Sequence, residues 1–327
     1  MSTAHYAILQ KLLLTGATLL LLALPWLVSV AFLVSVNSFV IMGILALSMA
    51  LVWGTAGIFS FGQSVFFGIG AYVYAIASLN MDGTAIPLLL GILAATLSAA
   101  ILGYFLFYGR ISEMYLAVIT LTLSLLFYQL INSLSGPQAR IGVVSLGGYN
   151  GIPGVPTLSI PGLSDSQLGY VPMYCVSAVA LIATYAGLRM LLVTAFGQTI
   201  IAIRENEIRA ELLGYDSRAY KLAIFSIGAA IAGLAGVLYA SWSNFVSPDL
   251  FDLAFAGQII IWAMAGGVGT LAGPVVGCFA IQALTTWLGT KQLTDTNIVL
   301  GLIFMLAVLF LPSGILPGLR ARLVKAA

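Results

Sequence analysis

Long uncharged apolar runs, cut by prolines, glycine clusters and a few charges, set the pattern of this chain. The 70 residues from 12 to 81 carry no charge, and a second such stretch runs for 38 residues from Leu253 to Thr290. One helix needs about 20 predominantly apolar residues to cross the hydrocarbon core of a bilayer. Cutting at the interruptions predicts ten spans, at roughly residues 12–34, 38–57, 61–79, 84–107, 114–133, 171–192, 222–243, 253–268, 272–289 and 296–312. A transmembrane barrel would require short segments of alternating polarity. These runs are continuously apolar, so the spans are read as helices. The first, which follows Lys11, continues for about 25 residues without a small-residue cleavage pattern, longer than the 7–15 or so of a signal-peptide core. It is therefore read as a retained span.

Composition makes the class firm. Of 327 residues 61% are hydrophobic and 7% charged, against about 25% charged in soluble domains. No long polar segment is left for a water-soluble domain, so residues 1–327 are read as one all-α integral membrane domain with the lipid bilayer as its solvent. Ten spans place both termini on the same side. On that side fall Lys11, Arg110, Arg189, Arg204, Arg209, Arg218, Lys221, Arg320, Arg322 and Lys325, with only Arg140 and Lys291 on the other. Cytoplasmic loops are the ones enriched in Lys and Arg, so both termini are expected in the cytoplasm. Cys175 and Cys278 lie in separate apolar runs and read as packing residues. The one histidine, His5, offers no metal site.

Two glycine-rich regions do not read as plain lipid-facing helices. In "VWGTAGIFSFGQSVFFGIGAY", Val52 to Tyr72, five glycines interrupt the run, with Ser60 and Gln63 beside them. Glycine costs about 1 kcal/mol relative to alanine in a helix interior, so this segment predicts a break or a close approach of backbones. Irregular backbone at membrane depth survives only when buried in protein or lining a wet cavity. The second region, "AMAGGVGTLAGPVVG", Ala263 to Gly277, places Gly269, Gly273 and Gly277 at four-residue spacing. On one helix they would form a small-residue face for close packing. Interrupted segments in two halves of a transporter point to a substrate path; tight packing without ligand is the plainer alternative. A third irregular stretch, Ser135 to Tyr170, is dense in Gly and Pro and is read as a long outer loop, either a connector or a docking surface.

Charge is concentrated in one place. Eight of the 22 charged residues lie in "IRENEIRAELLGYDSRAYK", residues 203–221. The pattern predicts a helix from about Gln198 to Leu213, stopped by Gly214, with Glu205 and Arg209 spaced as an i,i+4 pair and Ile201, Ile208 and Leu212 on another side. Asp216 or Ser217 then caps the next span. A solvated loop is the bland reading; mixed signs at nearly zero net charge suit a complementary protein surface better. The chain has no P-loop, no H-E-x-x-H and no G-x-S-x-G, and few ionisable residues inside the spans of the kind that serve as proton relays. Catalysis by this chain is not expected, and energy for uphill transport must come from outside it.

The segments "SFGQSVFFGIGAY", "GGYNGIPGVP", "GQTIIAIRENEIRAELLGYDSRAYKLAIF", "AGLAGVLYA", "FVSPDLF" and "GGVGTLAGPVVG" resemble, in order and spacing, the branched-chain amino-acid permease family of ABC importers, and its LivM-type subunit in particular. The resemblance extends from about residue 40 to "LFLPSGILPGL". It implies a bacterial inner-membrane subunit that pairs with a second, related permease subunit, two cytoplasmic ATPase subunits and a periplasmic substrate-binding protein. ATP would be used by the partners, with no cofactor or metal bound here and no nucleic-acid partner. Matched residue by residue, it implies ATPase contact at Arg204, Glu205, Asn206, Glu207, Arg209 and Gly214. It also implies a substrate path at Ser60, Gly62 and Gln63, with Gly266, Gly267 and Gly269 opposite. Leucine, isoleucine and valine are the expected cargo; urea, short amides and aromatic acids are carried within the same family. A self-sufficient carrier or channel is the alternative of a different class.

Overall fold

Helix α1, Thr3–Leu27, carries Pro25 in its last turn and gives way at Val28 and Ser29 to α2, Val30–Met49. Ser29 is extended (φ −66°, ψ 152°). The expected boundary near residues 34–38 is therefore displaced: the first helix stops at Leu27, before the extended Ser29, and one continuous run, Val30–Thr55, makes the next span. The computed structural model describes residues 3–136, 138–159 and 167–291 and, beyond them, Gly301, Met305 and Gly314. The expected span 296–312 lies largely outside the described residues.

The remaining helices follow the apolar pattern. They are α3 (Gln63–Asn80), α4 (Ala85–Tyr108), α5 (Glu113–Ser133), α6 (Tyr170–Val193), α7 (Ala195–Glu205), α8 (Glu207–Leu212), α9 (Ser217–Ser243), α10 (Leu253–Gly266) and α11 (Ala272–Lys291). Among the described residues six helical segments are long and apolar enough to cross a membrane, and α10 is a shorter apolar helix. In their most apolar stretches the α2 and α9 segments are 61% and 56% buried, against 22% for α4, α5 and α6. The first two form the centre and the other three the rim. Leu89, Leu93, Leu97 and Ile101 of α4 point outward, as lipid-facing residues do.

Small residues bring the central helices together. On its inner side α4 buries Gly91, Ala95, Ala99 and Gly103 at four-residue intervals, and it packs with α3 and α9. A Cβ added at Gly70 of α3 would lie 2.5 Å from the Gly233 carbonyl oxygen of α9, and one at Gly91 would lie 2.8 Å from the Gly70 carbonyl. Backbone thus meets backbone, which gives van der Waals contact where lipid supplies no hydrophobic drive.

The stretch between α5 and α6 contains no α-helix among its described residues, as its composition requires. It is not plain loop, however. Strands β1 (Arg140–Ile141) and β2 (Val144–Ser145) form a hairpin, and β3 (Ile152–Pro153) pairs antiparallel with β4 (Phe245–Val246), which follows α9. Side chains fasten it to the bundle: Tyr74 Oη donates to the Pro156 carbonyl at 2.9 Å, and Ser241 Oγ accepts from Leu158 N at 2.9 Å.

Candidate functional site

The first glycine-rich region is broken, and the break has a definite shape. After Met49 the helix widens into a π-helical turn, Ala50–Thr55, and residues 56–62 are irregular before α3 starts at Gln63. The wide turn leaves the C-terminal carbonyls in an unusual pairing. Leu51 O accepts from Ala56 N, Val52 O from Ile58 N and Trp53 O from Gly57 N. Gly54 O accepts instead from a guanidinium far along the chain: Arg204 Nη1 donates to it at 2.6 Å. A cation here also faces the negative end of the helix dipole. Gly57 is required twice over, because its φ is +75° and an added Cβ would lie 2.9 Å from Arg204 Cγ.

Polar side chains cross-link the break to its neighbours. Ser48 Oγ donates to Gln63 Oε1 at 2.6 Å, with the Gly228 carbonyl 2.9 Å away. Ser60 Oγ accepts from Gly62 N at 3.0 Å, and Thr120 Oγ1 of α5 accepts from Phe61 N at 3.1 Å. Ser60 and Gln63 are each 1% exposed, and Gln63 Nε2 has no hydrogen-bond partner among the described residues. Replacing Ser48 by alanine leaves the buried Gln63 oxygen without its donor, at a cost of about 1–3 kcal/mol. We expect thermal unfolding in detergent to shift down by several degrees, read by loss of monodisperse protein after heating.

The second glycine-rich region forms the short helix α10 and the start of the longer α11, joined by residues 267–271. Gly266 and Gly273 lie backbone to backbone, as do Gly277 and Trp262, so the small-residue face is real at Gly273 and Gly277. Gly269 is not part of it. It lies in the connection with open space around its Cα, because α11 starts only at Ala272. Gly267 has φ +108° and abuts Gly314.

Ser60, Gly62 and Gln63 pack toward α2 and α5, whereas Gly266 and Gly267 pack on α11 and Gly314. Contact between the two broken regions is made by Gly54, whose missing Cβ admits the Val268 carbonyl.

The charged stretch is an elbow, not one helix. The expected helix 198–213 is divided at Asn206, which is extended at φ −159° and ψ 96° and accepts on Oδ1 from Arg209 N at 2.9 Å. Asparagine is a favoured N-cap, and here it closes α7 and opens α8. Glu205 and Arg209 consequently lie on different helices, and the expected i,i+4 pair is lost. Glu207 pairs instead with Lys221 of α9, Nζ to Oε2 at 2.6 Å. Gly214 ends the elbow at φ +93°, with Tyr215 N donating to the Ala210 carbonyl, and Asp216 caps α9 through Arg218 N. Ile208, Leu212 and Leu213 are 74%, 83% and 74% exposed, while Ile201 is half-buried.

Beside α8 lies a cavity of about 290 Å³ lined by Arg110, Glu207, Glu211, Arg218 and Lys221. Arg110 is placed there by a left-handed φ of 51° just beyond α4, a conformation that costs an L-residue roughly 1–2 kcal/mol. Partial burial disfavours the charged form of Glu207, but the Lys221 hydrogen bond and the Lys221 and Arg110 charges outweigh it and hold the carboxyl below its usual 4.5. The Ser217 hydroxyl, which donates to Glu211 at 2.6 Å, lowers the Glu207 value as well. A depressed folded-state pKa means that the attachment of α8 is at full strength above the unfolded value and is lost as pH falls through the folded one. Hydrogen exchange of residues 207–213, corrected for intrinsic rate, is expected to be flat from about pH 8 to 5 and to rise only below the usual carboxylate value.

Six membrane-length apolar segments, two broken regions in contact between them and a charged elbow exposing apolar side chains at one end make this a multi-pass membrane protein. Residues 31–311 match the family described as "Branched-chain amino acid transport system / permease component". The chain belongs to that family and is a permease subunit. It is 29% identical to the high-affinity branched-chain amino acid transport system permease protein LivM of Escherichia coli K12, over 96% of this chain and 76% of that one. Identity is 25% to the probable LivM of Methanocaldococcus jannaschii, covering 84% of this chain and 90% of that one. LivH of Salmonella typhimurium is 28% identical over the same two shares. No solved structure matches.

Proposed function

We propose that the chain is one of two permease subunits in an ATP-driven, binding-protein-dependent importer of branched-chain amino acids in a bacterial inner membrane. It spans the membrane ten times with both termini in the cytoplasm, binds no cofactor itself and receives energy from two cytoplasmic ATPase subunits. The observation that carries this reading is the elbow. A six-residue helix that, with its C-cap Leu213, exposes Ile208, Leu212 and Leu213 amid charges of both signs is suited to a protein partner, because exposed apolar patches rimmed by polar groups mark interaction sites. Glu205, Glu207 and Arg209 are the charged contacts, with Asn206 and Gly214 shaping the helix between them. The exposed face of α5 carries Thr122 and Gln129, which lipid does not favour. We assign that face to the second permease subunit.

Substrate passes between the two broken regions, beside Ser60, Gly62 and Gln63 on one side and Gly266, Gly267 and Gly269 on the other. Gln63 Nε2, without a hydrogen-bond partner among the described residues, stands at the start of α3, where the positive end of a helix favours a carboxylate. Branched-chain cargo follows from the family and from the names of the LivM relatives. The test is uptake of labelled leucine and labelled urea by cells with and without the chain. Loss of leucine uptake alone is expected on deletion; loss of urea uptake alone would reassign the cargo.

A further inference from the structure

The resemblance places Arg204 among the ATPase contacts, yet its side chain turns the other way, into the broken segment. Four observations bear on what it does there. First, the Arg204 guanidinium is the donor that Gly54 O receives, while the three preceding carbonyls are met by backbone N–H groups. Second, Gly57 leaves room for the arginine stem, since a Cβ there would lie 2.9 Å from Arg204 Cγ. Third, Gly54 is also where the π-helical turn meets the Val268 carbonyl of the 267–271 connection. Fourth, Ile200 and Ile203 of α7 are 1% and 3% exposed, so α7 is seated in the bundle, and the extended Asn206, two residues after Arg204, is the joint to α8.

We propose that Arg204 is a positioning residue that carries movement of the α7–α8 elbow into the membrane. It grips the carbonyl at the end of the π-helical turn, so that a displacement of α8 shifts Gly54 and, through it, the 267–271 connection. The inference rests on the importer reading above but assigns Arg204 a different role from the exposed residues of α8. A guanidinium suits the task because its bond to the carbonyl of the buried Gly54 is charge-assisted and directional. The wide turn suits it too, because such turns concentrate at functional sites.

Three forms of the chain, native, Arg204→Gln and Arg204→Lys, are purified with whatever ATPase accompanies them and reconstituted in proteoliposomes, and labelled leucine taken up per ATP hydrolysed is measured. In Arg204→Gln the ATPase is expected to remain bound and the ratio to fall at least tenfold, with Arg204→Lys recovering most of it. A ratio equal to native in Arg204→Gln overturns the proposal. So does loss of the ATPase from that variant, which would make Arg204 a docking contact and leave the importer reading intact. Should the native chain bring down no ATPase, the importer reading itself fails. Hydrogen exchange on the isolated chain then decides the grip alone: faster exchange of residues 50–58 by about tenfold in Arg204→Gln, the loss of one charge-assisted hydrogen bond, supports it, and unchanged exchange overturns it.

Discussion

Gly70→Leu is expected to leave almost no folded protein in the membrane. At this position an added Cβ would lie 2.5 Å from the Gly233 carbonyl oxygen and 2.7 Å from Gly233 Cα, and the Gly70 carbonyl is itself the surface against which Gly91 packs. Overpacking a core usually costs about 1–3 kcal/mol because side chains shift to accommodate the new atoms. Here the obstructing atoms are backbone, and relief requires α3 and α9 to separate, with α4 following. The cost is expected to exceed that range and to rival the whole stability of a typical domain, about 5–15 kcal/mol. Size-exclusion profiles of detergent extracts measure it: the monodisperse peak disappears in Gly70→Leu. Gly187→Leu is the matched control, since no atom lies within 4 Å of a Cβ placed there, and helix propensity predicts no loss. Equal yields from both variants would refute the backbone-to-backbone packing of the bundle.

Glu207→Arg is expected to abolish uptake while leaving the chain inserted. The carboxylate accepts from Lys221 at 2.6 Å and shares a cavity with Arg110 and Arg218. Reversing its sign places four cations around that space with Glu211 as the remaining carboxylate. Lys221 is the more buried partner, its side chain 16% exposed against 43% for Glu207, so it cannot turn freely to solvent and α8 must move instead. The pair ties only the six-residue α8 to the end of α9, so the packing of the apolar helices is left in place. The geometry of the elbow is what changes. We expect leucine uptake to fall at least tenfold at native membrane levels. Glu207→Gln, which keeps an oxygen acceptor for Lys221, should lose much less. Native uptake in Glu207→Arg would remove α8 from the coupling path.

How much of this was legible in the chain differs by feature. The glycine-rich break after Val52 could be read because five glycines in an apolar run have no good helical explanation, but its π-helical form could not, since that depends on which of several carbonyls residues 56–58 pair with. Gly214 and Asp216 announced their turns by residue type. Asn206 carried the same kind of signal, a favoured N-cap just before an acidic residue, but lay inside a convincing helical period, and the cap prevailed. Pro25 and Ser29 likewise marked the α1–α2 boundary more truly than hydropathy did. The seam Gly91, Ala95, Ala99 and Gly103 stood in the sequence at regular spacing; it was obscured because large apolar residues beside it, which face outward, dominate the pattern. What no local pattern carries is the bond from Arg204 to Gly54, 150 residues apart, or the meeting of Gly54 with Val268. Those contacts follow from the bundle as a whole, and they give Arg204, an expected partner contact, a bond inside the chain as well.

The central claim is that this chain transports only as the membrane part of an ATP-driven assembly. Labelled leucine uptake into proteoliposomes tests it most directly, comparing the chain alone with the chain purified together with its partners and supplied with ATP. The account predicts no uptake by the chain alone and ATP-dependent uptake by the assembly. Leucine accumulation by the chain alone, without ATP, would contradict it.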